Sequence, residues 1–166
     1  MMKILVTGLE NSCGKAVSKI LAQNLKVEGH EEYDGNMRVL DDNHLVSHMS
    51  LPSGQRTFFF IPKIKDWDAI VVVTRDYNCA LESKVRTNQT DRKFAIQENE
   101  KGLYILSGMM KFDNVHVFSY ESWFLLGDTY VSKILRDIGI EYTDTLEAEN
   151  CNEKYINETV YLTKER

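Results

Sequence analysis

An α/β architecture with three layers, a mostly parallel sheet with flanking helices, follows from three features of the sequence. Short β-branched and apolar runs recur at residues 3–7 (KILVT), 69–74 (AIVVVT) and 115–118 (VHVF). The first two are almost continuously apolar, as strands buried on both faces of a parallel sheet must be. Helical stripes fill the intervals, and strands alternating with helices imply crossover connections and parallel pairing.

Each element has its own signal. After Gly14, Val17, Ile20, Leu21 and Leu25 fall on one helical face. Residues 28–42 are polar and turn-rich and are expected to make excursions over the sheet edge. Residues 57–61 (TFFFI), ended by Pro62, fit a fourth strand. Asp76 or Asn78 is a cap for a helix through Leu81 and Val85. Residues 94–110 carry Phe94, Ile96, Leu103, Leu106 and Met110 at helical spacing, interrupted by a helix-weakening Gly102. Val131, Ile134, Leu135 and Ile138 form a stripe that Gly139 stops. Trp123, Phe124, Leu125 and Leu126 form an apolar cluster that fits the core or an interface, the core being the favoured expectation. The acidic stretch from Thr143 to Asn152 is expected to be solvated, and Tyr155, Ile156, Val160 and Tyr161 fit a last strand or a helix equally well.

Length and charge bound the function. The 166 residues, 43% hydrophobic and 27% charged, suit a single folded domain, residues 1–166. A net charge of −5 argues against a nucleic-acid partner while leaving room for a local anion pocket. No apolar run approaches the roughly 20 residues of a membrane helix. Cys13, Cys79 and Cys151 lie far apart with no C-x-x-C pair, as in reduced thiols of a cytoplasmic protein, and no Cys/His pair has zinc-ligand spacing. The opening MMKILVTG is too short for a signal peptide.

Three constellations carry chemistry. The first is the loop Gly8-Leu-Glu-Asn11-Ser12-Cys13-Gly14-Lys15, between the first strand and the first helix, where backbone amides and the helix dipole favour an anion. It departs from the nucleoside-triphosphate pattern G-x-x-x-x-G-K-[ST]. Five residues separate Gly8 from Gly14, and Ala16 stands where the magnesium-binding hydroxyl belongs. Read structurally, the same residues make a helix-entry turn capped by Asn11 or Ser12. The second is Arg75 at the carboxyl end of a buried strand, with Ser83 eight residues on: a fork and a hydroxyl that could meet on one phosphate, or a surface ion pair and a solvent-facing serine. The third is His48 in Leu45-Val-Ser-His48-Met-Ser50-Leu-Pro52, a base candidate alongside His30, His44 and His116.

Taken in order, these three resemble the sulfotransferases that use 3′-phosphoadenylyl sulfate, a family with a P-loop nucleotide-hydrolase-like fold. The matching residues are Asn11-Ser12-Cys13-Gly14-Lys15, His48 with Leu51-Pro52, and Arg75 with Ser83. Val117-Phe118-Ser119-Tyr120-Glu121 and the helix ending at Gly139 resemble the family's late strand, Tyr-Glu turn and helix. The resemblance spans residues 3 to 140. It implies that the loop holds the donor's 5′-phosphosulfate and Arg75 and Ser83 its 3′-phosphate. Lys15 would stabilise the leaving phosphate, His48 would take the acceptor's proton, and adenine would stack on an aromatic such as Tyr120 or Trp123. The expected co-substrate is therefore 3′-phosphoadenylyl sulfate, with a small-molecule or glycan acceptor and no metal.

The departures are specific. Cys13-Gly14 replaces the family's Gly-Thr, Asn11 replaces the lysine before the loop serine, and Lys164 and Arg166 are poor substitutes for the late basic segment. A small metabolite kinase, a nucleotide-binding domain that has lost catalysis, and an α/β interaction module are the competing expectations.

Overall fold

A computed structural model describes residues 2–27, 31–33, 36–40, 43–51, 64–153 and 155. Pro52, the expected strand at 57–61, Ile156, Val160, Tyr161, Lys164 and Arg166 lie outside the described residues. The chain runs β1 (Met2–Leu9), α1 (Gly14–Asn24), β2 (Glu31–Tyr33), β3 (Asn36–Leu40), β4 (His44–Leu51), β5 (Ala69–Thr74), α2 (Tyr77–Thr87), α3 (Arg92–Met109), β6 (Val115–Ser119), α4 (Tyr120–Leu126) and α5 (Asp128–Ile138). The sheet order is β2-β3-β4-β1-β5-β6. β4, β1, β5 and β6 run parallel, while β2 and β3 add an antiparallel edge.

Strand alternation divides the core. Ile4, Val6, Val46, Val71 and Val73 face α1, α4 and α5, meeting Val17, Ile20, Trp123, Val131 and Leu135. Leu5, Leu51, Ile70 and Val72 face the opposite way and meet Leu106 and Met109 of α3. Helices therefore cover both faces of the sheet, the three-layer arrangement that the apolar runs of β1 and β5 demand.

Local signals explain the helix boundaries. Asp76 caps α2 by accepting from the Cys79 amide at 2.9 Å, and Asp91 caps α3 by accepting from the Phe94 amide at 3.0 Å. Gly139 ends α5 at φ 85°. Gly102 does not weaken α3 without return: a Cβ there would stand 2.8 Å from the Leu51 carbonyl oxygen and 2.7 Å from Leu9 Cδ2, so glycine lets the helix lie on the ends of β1 and β4.

Several expectations change. The polar excursion at 28–42 contains the edge strands β2 and β3, and the His48 segment is itself a strand, β4, inserted beside β1. Of the expected apolar core cluster, only Trp123 is buried; Phe124, Leu125 and Leu126 are exposed because α4 turns one narrow face inward. The acidic stretch after α5 has no helix or strand up to residue 150, yet it is tied down. Asn24 Oδ1 accepts from the Thr143 amide at 2.6 Å and the Asp144 amide at 3.2 Å, and Asn24 Nδ2 donates to the Asp144 carbonyl at 2.7 Å. Tyr155 is helical and buried. Among the described residues, no helix is long and apolar enough to cross a membrane.

Candidate functional site

The strand order puts a topological switch point between β1 and β5. β1 continues through α1 towards the β4 side, whereas β5 continues through α2 and α3 to β6 on the other side. Where neighbouring parallel strands send their connections in opposite directions, their carboxyl ends bound the usual ligand site of an open α/β sheet. Here those ends are Leu9, which opens the glycine-containing loop, and Thr74, which precedes Arg75.

The loop is a tight turn followed by a helix start. The Ser12 amide donates to the Leu9 carbonyl at 3.2 Å, with Asn11 at φ 62° in the third turn position, where a left-handed residue is required and asparagine is tolerated. Cys13 follows, also left-handed at φ 68°, and gives α1 no side-chain cap. The amides of Ala16 and Val17 both donate to the Cys13 carbonyl, which starts α1 at Gly14. The expected cap by Asn11 or Ser12 is therefore not made. Ser12 is buried, and the Asn11 Nδ2 group is buried with no hydrogen-bond partner among the described residues.

His48 lies directly beneath this loop. It sits on β4 in register with Val6 of β1, and its ring packs against Gly14 so closely that a Cβ on Gly14 would overlap the imidazole. Position 14 therefore has no room for a side chain while His48 stays where it is. Cys13 carries a Cβ in the left-handed region natural to glycine. His48 is 4% exposed. Burial first, and then the Lys15 charge, push its pKa down from 6.5 to about 4. Its Nε2 lies 3.4 Å from Ser50 Oγ, and among the described residues its Nδ1 has no partner. At neutral pH it is an uncharged imidazole, able to accept a proton but only weakly basic.

Arg75 reaches the loop from the other side. Its Nη1 donates to the Asn11 carbonyl at 2.8 Å. Its Nη2 donates to the Cys151 carbonyl at 2.8 Å and its Nε to Asn152 Oδ1 at 2.6 Å. The guanidinium lies 5.4 Å from the Tyr120 ring centre and 5.6 Å from that of Tyr155. Neither Asp76 nor another surface acid is its partner in these bonds; Asp76 instead caps α2. Ser83 is buried on α2, one turn beyond Cys79, rather than solvent-facing. Tyr120 and Trp123, the two candidates for stacking on adenine, are both buried, with rings packed edge to face at 6.2 Å. In this arrangement neither presents a face to a base.

The structure thus brings the loop, His48 and Arg75 around one turn, from sequence positions up to 64 residues apart. It adds residues that no local pattern marked. Lys84, 1% exposed, donates to Glu98 at 2.8 Å and lies 2.9 Å from Glu10 of the loop, a buried cation between two carboxylates. Asn152 lies in a stretch whose acidic composition pointed to solvent, and only the path of the chain after α5 carries it to Arg75. Burial also raises the Cys13 thiol to about 11, so it is protonated at neutral pH. Among the described residues, no group of three or more His, Cys, Asp or Glu side chains is placed to hold a metal ion.

The chain matches no known protein family and no curated protein.

Proposed function

We propose that this chain is a sulfotransferase that takes its sulfuryl group from 3′-phosphoadenylyl sulfate and passes it to a hydroxyl or amine. The observation that carries the reading is the convergence of residues 11–15, His48 and Arg75 on one loop at the switch point between β1 and β5. The residues fit the donor unequally. The start of α1, with the Lys15 charge beside it, suits the 5′-phosphosulfate. In this reading Arg75 takes the second phosphate, and its donors, now turned to Asn11, Cys151 and Asn152, must be released to do so.

Sulfuryl transfer is an in-line displacement in which negative charge grows on the departing oxygen, so positioning and electrostatics supply most of the catalysis. In this reading the Gly14 and Lys15 amides orient the phosphosulfate, and the Lys15 ammonium offsets the leaving charge. His48 Nε2 accepts the acceptor's proton. The absence of a hydroxyl at Ala16 favours this over a magnesium-dependent kinase.

The burial of His48 and its low pKa favour a second reading, a domain that keeps donor binding without turnover. Thermal unfolding with adenosine 3′,5′-bisphosphate and, separately, with magnesium-ATP tests the class. A native-state ligand at a hundredfold excess over Kd adds about 2.7 kcal/mol of stability. Stabilisation by the bisphosphate alone supports the donor site, and by magnesium-ATP alone a kinase. No shift with either removes both. Transfer of radiolabelled sulfate from the donor to an acceptor then separates an enzyme from a binding domain.

A further inference from the structure

The segment after α5 crosses the switch point as a strap. It leaves α5 at Ile140, is clamped at Asn24 through residues 143 and 144, and reaches Tyr120 and Arg75. The Tyr120 hydroxyl donates to the Glu149 carbonyl and accepts from the Cys151 amide at 2.8 Å. The next carbonyl and side chain, Cys151 O and Asn152 Oδ1, take Arg75 Nη2 and Nε. Those two nitrogens form the side-on edge of a guanidinium, one of the edges that grips a phosphate with two parallel hydrogen bonds.

The strap then follows the face of α2 that carries Ser83. Cys79, one turn before Ser83, donates its thiol to the Asn152 carbonyl at 3.9 Å. Arg86, about one turn after Ser83, lies 5.3 Å from the ring centre of Tyr155. Asn152 is pinned again where its Nδ2 donates to Glu121 at 2.8 Å. Strap contacts thus take one edge of Arg75 and flank Ser83 on both sides.

We propose that residues 149–153, with Tyr155, are an autoinhibitory strap that competes with the 3′-phosphate of the nucleotide for Arg75. The inference rests on the donor-binding reading above and adds regulation to it. A ligand with a phosphate on the 3′ side displaces Cys151 O and Asn152 Oδ1 from the guanidinium. A nucleotide phosphorylated only on the 5′ side leaves the strap in place. Observed affinity for the bisphosphate is then the intrinsic affinity reduced by the fraction of molecules in which the strap is open.

The test is calorimetric titration of the full chain with adenosine 3′,5′-bisphosphate and with adenosine 5′-monophosphate. Two variants weaken the strap by different routes: Asn152→Ala removes an acceptor from Arg75, and Tyr120→Phe removes the hydroxyl that holds residues 149 and 151 while keeping the ring. Both are expected to bind the bisphosphate more tightly than wild type, Asn152→Ala by about tenfold, the factor that one hydrogen bond to a charged group commands, with monophosphate affinity unchanged. A purely structural role for these side chains moves affinity the other way. Hydrogen exchange supplies a second readout, since bisphosphate should speed exchange at the Cys151 amide. If wild type prefers the bisphosphate while both variants bind it equally or more weakly, or if bisphosphate slows that exchange, the donor site stands and the strap proposal is overturned. If wild type and both variants bind neither nucleotide, the donor-binding reading falls and the strap falls with it.

Discussion

The buried imidazole under the loop gives a pH dependence whose sign and size follow from its surroundings. His48 has a folded pKa of about 4 against 6.5 when unfolded. The unfolded chain therefore binds the proton more readily, and stability rises with pH between those values. The contribution is fully present above about pH 7 and is lost as the pH falls through 6.5 towards 4. The shift of 6.5 − 4 = 2.5 units, at about 1.4 kcal/mol per unit, bounds the loss at about 3.5 kcal/mol. At 4% exposure, solvent screening takes little from it. The perturbation is His48→Gln, which keeps polarity and removes the titration. Urea unfolding of both proteins at pH 7.5 and pH 4.5 separates this group from every carboxylate, because only the difference between them is read. The variant should be the less stable protein at pH 7.5, and the gap should narrow by about 2.5 kcal/mol at pH 4.5. A gap that stays constant with pH would mean that the ring is solvated or paired when charged, and the packing of His48 against Gly14 would have to be abandoned.

Other consequences are read more directly. Cys13→Gly replaces a left-handed Cβ-bearing residue at φ 68° and should stabilise the fold by about 1 kcal/mol, seen as a raised Tm; a lowered Tm would show that the Cys13 side chain contributes more by packing than the backbone strain costs. Lys84→Ala strands Glu10 and Glu98 together and should cost about 3 kcal/mol in urea unfolding; an unchanged stability would contradict the ion triad. Asn24→Ala removes the clamp on residues 143 and 144 and should cost about 2–3 kcal/mol, with faster hydrogen exchange at the Thr143 and Asp144 amides. Unchanged exchange there would show that the strap is held elsewhere.

What the sequence determined by itself is what short-range chemistry encodes. The continuous apolar runs of β1 and β5 specify strands covered on both faces, and hence helices on both sides of a parallel sheet. Asp76 and Gly139 mark helix ends because capping and left-handed termination are settled within a few residues. The loop from Gly8 to Lys15 is legible for the same reason, since a strand, a turn and a helix start are contiguous. The edge strands β2 and β3 were hidden by their polar, turn-rich composition, which a sheet edge tolerates and a pattern of buried strands does not signal. β4 was hidden because its polar residues, His48 among them, interrupt the apolar run. The tertiary structure alone decided the partners. Gly14 is bare because a histidine from 34 positions away needs the space. Arg75 turns to Asn152, which lies 77 residues further on. Such contacts depend on which strand the chain returns to after each crossover and on where the segment after α5 is laid down. Those are properties of global packing, in which many weak apolar contacts jointly choose one arrangement, and no local spacing encodes them.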